Sequence, residues 1–439
     1  ARAYVPQAIA NGAVAVLIEN DQPGLKICEE GDSLELFIPD LKRYVGKIAD
    51  RFFGAPSKHM KVVGVTGTNG KTSVSQYLAN VLSGLGNKTG VIGTLGYGMP
   101  GELEVATHTT PDVVKVQQVL ANLRGQGATT AAMEVSSHGL DQGRVDEVNF
   151  TGAVFTNLSR DHLDYHKSMD AYGEAKKALF LKPGLSFVVV NFDDEYGRSL
   201  VDSLPDTTRV ISYGISQPAD ISVDRVQYSK KGIHAELSGS WGSAKLCCEL
   251  LGAFNLSNVL AVVGVALAMG YEIEGICQSV AELKPVTGRM QAYNAEGQPA
   301  VIIDYAHTPD ALVNALQAVK QHCDGNVWCV FGCGGDRDKG KRPMMAEAAE
   351  KYADKIVVTD DNPRHEDASD IVADILKGLS DEACAQVVHD RQMAIEQTIK
   401  LATENDMILV AGKGHEDYQE VAGRRLPYSD IDVVESYLK

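Results

Sequence analysis

No run of about 18 or more apolar residues occurs in the 439-residue sequence, so no membrane-spanning helix is predicted. Positive charge is also scarce. Lys and Arg total 41 against 58 Asp and Glu, a formal net charge of −17. That balance argues against a nucleic-acid or membrane-surface partner, although it is compatible with a local basic pocket. The eight cysteines show no metal-like Cys-x-x-Cys spacing. Cys247 and Cys248 are adjacent, and Cys329 and Cys333 lie around a strand end. Buried, reduced thiols in a cytoplasmic protein are the expectation, and nothing marks a cysteine nucleophile. Internal repeats and low-complexity runs are absent. The start, Ala1-Arg2-Ala3-Tyr4, has neither an initiator Met nor a signal-peptide pattern, so a missing N-terminal part is expected.

What the chain does have is a phosphate-binding loop. Residues 60–73 read as an apolar strand, a glycine-rich turn, then Lys71-Thr72 opening a helix. Such a turn aims backbone N–H groups at an anion. The helix start adds partial positive charge, the lysine a full one, and the threonine hydroxyl can ligate Mg²⁺. Val62, Val63 and Val65 suit a buried parallel strand. Val74, Tyr77, Leu78, Val81, Leu82 and Leu85 recur at helical spacing. A nucleoside triphosphate is the expected ligand. The common pattern wants glycine where Val65 stands; here the glycines are Gly64, Gly67 and Gly70.

Length and alternation predict two or three domains. Residues 1–58 hold a helical stretch (Pro6 to Asn11), a strand (Ala13 to Ile18) and an amphipathic segment (Leu41 to Phe53), too little for a core of their own. Gly54-Ala55-Pro56-Ser57 reads as a linker. Residues 59–285 alternate strand and helix, with strands predicted at 61–65, 89–95, 130–135, 152–155 and 187–191 and helices after Lys71 and Pro111. This implies a mostly parallel sheet covered on both faces. Residues 221–250 read as a small antiparallel addition with a hairpin turn at 239–243. Residues 286–439 begin a second alternation, with strands predicted at 301–304, 327–331, 355–359 and 407–410, the pattern of a doubly wound domain.

In such sheets ligands bind beyond the carboxyl ends of strands. Polar clusters sit at several. Glu134-Val-Ser-Ser-His138 follows one strand, and Thr156-Asn-Leu-Ser-Arg-Asp-His-Leu-Asp-Tyr-His166 follows another. The second offers carboxylates and imidazoles for Mg²⁺. Zinc fits less well, since His162 and His166 lack the glutamate of a zincin helix; a loop capping the next helix is the plainer alternative. Lys176 reads as a surface lysine, no different from Lys177. Asp304-Tyr-Ala-His-Thr-Pro-Asp310 turns from strand to helix, with Thr308 as N-cap and Pro309 first in the helix; Asp304 and His307 either face a ligand or orient the turn. Gly332–Pro343, Asp360-Asp-Asn-Pro-Arg364 and Gly412-Lys-Gly-His-Glu416 end the remaining strands. Together they place both signs of charge at one rim, as a zwitterionic amino acid requires.

Taken together, Gly67-Thr-Asn-Gly-Lys-Thr72, the Thr156–His166 loop, Asp304–Asp310 and Asp361-Asn-Pro-Arg364 resemble the Mur ligases of peptidoglycan synthesis, and within them the branch that adds diaminopimelate. The resemblance runs from Tyr4 to the C-terminus and absorbs Val65 as a variant of this family's phosphate loop. It implies an α/β fold of three domains: an N-terminal UDP-substrate-binding domain (1–58, its start missing), a central P-loop ATPase-like parallel-sheet domain (59–285) and a C-terminal Rossmann-like, amino-acid-binding domain (286–439). It implies ATP binding by Gly67, Thr68, Asn69, Gly70, Lys71, Thr72, Asn157, Asn255, Asn258, Arg289, Asp304 and His307. It implies two Mg²⁺ ions held by Thr72, Glu134, His162 and Lys176, the last as a carbamate made with CO₂; Lys71, Lys176 and His162 would be catalytic. Thr109, Thr110, Ser136, Gln142 and Arg144 match positions for UDP-MurNAc-L-Ala-D-Glu. Arg337, Asp361, Asn362, Pro363, Arg364, Gly412 and Glu416 match positions for meso-diaminopimelate.

The implied reaction phosphorylates the D-glutamate γ-carboxylate with ATP, after which the amine displaces phosphate; a cytoplasmic monomer is expected. Arg364 is expected to hold the carboxylate that diaminopimelate has and lysine lacks. Lysine would then leave a desolvated guanidinium unpaired, a rejection on the order of 10⁴-fold. The alternatives are a lysine-adding relative, a folylpolyglutamate synthase-like ligase, and a nucleotide switch without an amino-acid site.

Overall fold

The computed structural model describes residues 2–27, 33–106 and 108–438. Cys28 and the side chain of Asp164, one aspartate of the Thr156–His166 loop, lie outside the described residues. Packing divides the chain into two units, residues 1–189 with 196–210, and residues 190–195 with 211–439.

In the first unit, β1 (Ala15–Glu19) and β2 (Gly24–Ile27) flank β3 (Leu34–Ile38), parallel and antiparallel to it respectively. The main sheet comprises β4 (Lys61–Thr66), β5 (Thr89–Gly93), β6 (Gly96–Met99), β7 (Glu102–Glu104), β8 (Thr130–Glu134), β9 (Gly152–Phe155) and β10 (Phe187–Asn191), in the order β10-β9-β4-β8-β5-β6-β7. β4 is flanked by parallel β8 and β9. Burial on both faces explains its valines: Val62, Val63 and Val65 are fully buried. The helix Lys71–Gly84 buries Val74, Tyr77, Leu78, Val81 and Leu82, as its spacing predicts. The single strand expected over residues 89–95 is instead a hairpin, β5 turning at Thr94-Leu95 into antiparallel β6. The cause is local. The Thr94 N–H donates to the Glu134 carboxylate (2.8 Å) rather than to a neighbouring strand, and Gly96 takes φ +140°, a left-handed value that favours glycine.

In the second unit β11 (Arg209–Gly214) pairs in parallel with β12 (Ile221–Ser229). β13 (Gly232–Gly239) and β14 (Gly242–Cys248) continue it as an antiparallel ribbon, with the predicted turn at Ser240-Trp241. The helices Ala253–Ala268 and Ile273–Ala281 follow. A six-stranded sheet is built from β15 (Gln291–Tyr293), β16 (Ala300–Asp304), β17 (Val327–Phe331), β18 (Lys355–Val358), β19 (Ala385–Val387) and β20 (Met407–Ala411), in the order β15-β16-β20-β17-β18-β19. All neighbours are parallel except β15 with β16. Alternate residues feed two cores. Ile302, Cys329, Phe331 and Leu409 pack in one with helices Pro309–His322, Lys341–Tyr352 and Ala368–Leu376. Val301, Ile303, Val330, Ile408 and Val410 pack in the other with Arg391–Leu401 and Asp430–Leu438. This is the two-faced covering that makes a doubly wound sheet. A last hairpin, β21 (Tyr418–Val421) with β22 (Arg424–Pro427), was not predicted from the sequence.

His322, at the end of its helix and 3 % exposed, ties the ribbon to the sheet within this unit. Its Nδ1 donates to the Ser229 carbonyl (2.6 Å) and its Nε2 accepts the Gly252 N–H (2.8 Å), so the ring is neutral. Burial lowers its pKa from the ordinary 6.5. Below about pH 6.5 the unfolded chain takes up a proton that the native ring resists, so stability present above that pH is lost as pH falls towards the native pKa. Urea unfolding of His322→Gln should show a shallower loss between pH 7 and 5.5 than the parent chain. An unchanged slope would exclude His322 as the titrating group.

Candidate functional site

The phosphate loop lies at the carboxyl end of β4. Gly67 takes φ +148° and Gly70 φ +87°, and the helix starts at Lys71. A side chain at Gly67 would collide with the Thr156 hydroxyl. The strand-end loop after β9 clamps the turn: Asn157 Oδ1 accepts the Asn69 N–H (2.9 Å), its Nδ2 donates to Asn69 O (3.2 Å), and its own carbonyl accepts the Thr68 N–H (2.8 Å). The Lys71 ammonium donates to the carbonyls of Gly67 and Thr68.

Glu134, at the end of β8, is fully buried. Its carboxylate accepts from the Thr72 hydroxyl (2.9 Å), the Thr94 N–H (2.8 Å) and the Thr94 hydroxyl (3.1 Å). Burial raises its pKa, while Thr94, Lys71 and Thr72 act against that shift. Gly93 is obligatory, because a Cβ there would overlap the carboxylate. Neither Gly93 nor Thr94 was singled out from the sequence; a Gly-Thr pair after a strand carries no signal without the partner it touches.

Lys176 departs most from its reading as a surface lysine. It is 1 % exposed, its Nζ donates to Gly67 O (2.8 Å), and it lies over the Tyr172 ring at 4.2 Å. Burial, and then the Lys71 charge, pull its pKa down to about 6. Lys177 is the surface residue, paired with Glu174. Tyr172, also missed, links Lys176 to the phosphate loop through the Thr68 hydroxyl (3.3 Å) and to the His162 ring, 6.0 Å between centroids. His162 takes φ +52°, and its half-exposed ring stands edge-on to His138 and near Asp161.

The five residues matched to the UDP-linked substrate gather beside Glu134. Thr110 Oγ1 donates to Glu134 O (3.0 Å) and accepts the Ser136 N–H (2.9 Å). Arg144 donates to Thr110 O (2.7 Å) and through Nε and Nη2 to Gln142 Oε1. Thr109 meets Thr94, hydroxyl to hydroxyl, at 3.0 Å.

In the second unit, Asn255 and Asn258 lie buried in the first turns of the helix Ala253–Ala268, Asn258 donating to Asn255 Oδ1 (3.4 Å). Arg289 lies over the Tyr305 ring at 4.9 Å. Asp304 Oδ2 accepts the Met290 N–H (2.8 Å), and its pKa is raised by burial. His307 turns Nδ1 onto the Tyr305 carbonyl, and Thr308 caps the helix as predicted.

The strand ends β18 and β20 do converge. Asn362 Nδ2 donates to Glu416 Oε2 (3.0 Å). Between them lies Lys413, fully buried, bonded to Asn362 Oδ1 (2.9 Å), Glu416 Oε2 (3.2 Å) and Tyr418 O (2.8 Å), with Asp361 at 3.5 Å. Gly412, at φ +121°, leaves room for Asp361. Arg337 is exposed, and Pro363 lies within the buried turn. Arg364 is not a bare cation: its Nε pairs with Glu420 Oε2 (3.2 Å) and its Nη1 donates to Gly335 O (2.7 Å). Glu420 was missed because it lies on the unforeseen hairpin β21–β22. Lysine would therefore not leave this guanidinium unpaired, which removes the reason first given for its rejection.

Among the described residues no group of three or more His, Cys, Asp or Glu side chains forms a metal cage. Mg²⁺ does not need one, since it commonly takes one or two carboxylates and completes its shell with water and phosphate. Glu134 and Thr72 supply hard oxygen donors at adjacent positions, which fits that ion.

Two family profiles match the chain, the Mur ligase middle domain over residues 65–266 and the Mur ligase glutamate ligase domain over residues 288–414. A UDP-N-acetylmuramoyl-L-alanyl-D-glutamate–2,6-diaminopimelate ligase of Ectopseudomonas mendocina is 49 % identical over 98 % of this chain and 88 % of its own. The enzyme of that name from Pseudomonas aeruginosa is 47 % identical, over 100 % and 89 %. A solved structure with that name superposes with a TM-score of 0.76 at 37 % identity, covering 100 % of this chain and 89 % of the other. A folylpolyglutamate synthase of Mycobacterium tuberculosis, 18 % identical with a TM-score of 0.67 over 84 % and 91 %, shares the fold.

Proposed function

The chain belongs to the Mur ligase family, and we propose from this and its site geometry that it joins meso-diaminopimelate to the D-glutamate of UDP-MurNAc-L-Ala-D-Glu at the expense of ATP. The observation that carries the reading is the meeting, at one set of strand ends, of a phosphate loop, the buried Glu134 and the Thr110–Arg144 cluster. A triphosphate and a second anion can be held there side by side. Identity of 49 % and 47 % to diaminopimelate ligases over nearly all of this chain favours this over lysine addition or a folate substrate. The profile boundaries, 65–266 and 288–414, favour a division between 59–285 and 286–439.

The chemistry follows from charge. A carboxylate is a poor electrophile, and phosphorylation gives it a leaving group. Two anions must first approach each other. Lys71 offsets their repulsion, and the loop N–H groups orient the terminal phosphate in line. Mg²⁺, held by Thr72 and Glu134, would supply further charge neutralisation. Arg144 and Thr110 would fix the dipeptide end. The rim at Asn362, Arg364, Gly412 and Glu416, with Arg337 and Asp361, would hold the amino acid whose amine then attacks. Asn157, Asn255, Asn258, Arg289, Asp304 and His307 serve as nucleotide positions in this reading. The direct test is phosphate release from ATP with the UDP-dipeptide present. Meso-diaminopimelate should drive it, with L-lysine and L-glutamate at least about 100-fold less effective. Equal rates with lysine would make the chain a lysine-adding enzyme.

Lys176 would serve as a carbamate, and His162 as a neighbouring ligand. Burial favours the neutral amine at Lys176, the form that attacks CO₂; forming the N–C bond releases one amine proton to solvent and leaves a carbamate anion near the Lys71 charge. Lys176→Ala should nearly abolish turnover, and added acetate or formate should restore part of it. Full activity of the alanine variant would sink this role.

A further inference from the structure

Tyr165, on the short helix Leu163–His166, reaches across to the end of the helix Ser137–Asp141. Its hydroxyl donates to Asp141 Oδ2 (2.6 Å) and accepts from Gln142 Nε2 (3.3 Å). A carboxylate only accepts, so the phenol proton goes to Asp141 and the phenol oxygen is left to accept from Gln142. That choice turns the Gln142 amide. With its NH₂ on Tyr165, its oxygen faces Arg144 and takes Nε (3.0 Å) and Nη2 (2.6 Å) together. A reversed amide would set NH₂ against a guanidinium, donor against donor. The Tyr165 ring is fixed separately, 4.2 Å from the His138 ring and 4.8 Å from that of His166, centroid to centroid. At the other end Gly143, at φ +69°, turns the chain so that the Arg144 N–H meets Gly139 O (2.8 Å). Arg144 spends Nε and one Nη2 N–H on Gln142, and one Nη1 N–H on Thr110 O (2.7 Å). Among the described residues this leaves one N–H on each terminal nitrogen, a donor pair that a carboxylate can bridge.

We propose that Tyr165 and Asp141 are positioning residues for the dipeptide: through Gln142 they hold Arg144 with its donor pair turned to the α-carboxylate of D-glutamate. This rests on Arg144 facing the UDP-linked substrate. D-Glutamate carries two carboxylates. The γ-carboxylate reacts and must lie by the phosphate loop, so the α-carboxylate needs a cation of its own. An arginine held in one orientation takes it and so decides which of the two meets ATP. Neither Tyr165 nor Asp141 touches the substrate; each acts by removing the alternative orientations of Gln142 and Arg144, so that less freedom is lost on binding. Because Tyr165 shares its short helix with His166 and follows His162 by three residues, the same bond ties the loop beside Lys176 to the dipeptide cluster.

The test is Tyr165→Phe, which keeps the ring contacts and removes only the hydroxyl. The KM for UDP-MurNAc-L-Ala-D-Glu should rise about 3- to 10-fold, the worth of one hydrogen bond, while kcat and the KM for ATP stay within about 2-fold. Asp141→Ala, which lets the phenol proton turn towards Gln142, should give the same split. The substrate with γ-aminobutyrate in place of D-glutamate lacks the α-carboxylate. On it, parent and Tyr165→Phe should agree within about 2-fold, and so should Arg144→Lys with and without Tyr165→Phe on the natural substrate. The proposal fails if Tyr165→Phe leaves the KM for the UDP-dipeptide unchanged or raises that for ATP equally. It fails too if the variant loses as much on the γ-aminobutyrate substrate, since the hydroxyl would then act on the loop and not through Arg144. Phosphate release by the parent chain that does not depend on the UDP-dipeptide would instead overturn the placement of that substrate beneath it.

Discussion

A carboxylate removed from water must be held by donors or it takes up a proton, and Glu134 is the case on which the first unit turns. Three elements meet at it. The phosphate loop sends the Thr72 hydroxyl, the end of β5 sends the backbone and hydroxyl of Thr94, and Gly93 gives up its side chain so that the carboxylate has room. Lys71 adds the countercharge. The same bonds fix the hairpin after β5, and through Thr94 and Thr110 they hold the cluster matched to the second substrate. The donors and the countercharge around this carboxylate are thus set by the fold itself, which is what electrostatic preorganisation requires.

The second unit solves the opposite problem. Lys413 is a buried cation, and its bonds to Asn362, Glu416 and Tyr418 O draw two strand ends and the hairpin β21–β22 together. Breaking a buried pair of this kind by removing one partner costs about 3–5 kcal/mol, far more than an exposed pair is worth. The Arg364–Glu420 pair beside it is left nearer solvent.

Most of the scaffold was legible because strand and helix leave periodic marks. β9 and β10 match their predicted spans, Thr308 and Pro309 open their helix as expected, and the parallel alternation gives the doubly wound sheet. What could not be read depends on contacts distant in sequence. Lys176 and Lys177 are indistinguishable by spacing; only the 109-residue separation bridged by the bond to Gly67 tells them apart. The hairpin at Thr94 exists because Glu134, forty residues later, takes its N–H. Glu420 lies on short strands with mixed exposure and no alternating pattern, so nothing local announced it or its hold on Arg364.

The account depends on the D-glutamate carboxylate being activated by phosphate before the amine arrives. UDP-MurNAc-L-Ala-D-Glu labelled with ¹⁸O in its γ-carboxylate, turned over once with ATP and meso-diaminopimelate, tests this directly. An acyl phosphate requires one labelled oxygen to pass into the released inorganic phosphate. Phosphate free of label, with the amide formed, would contradict the account.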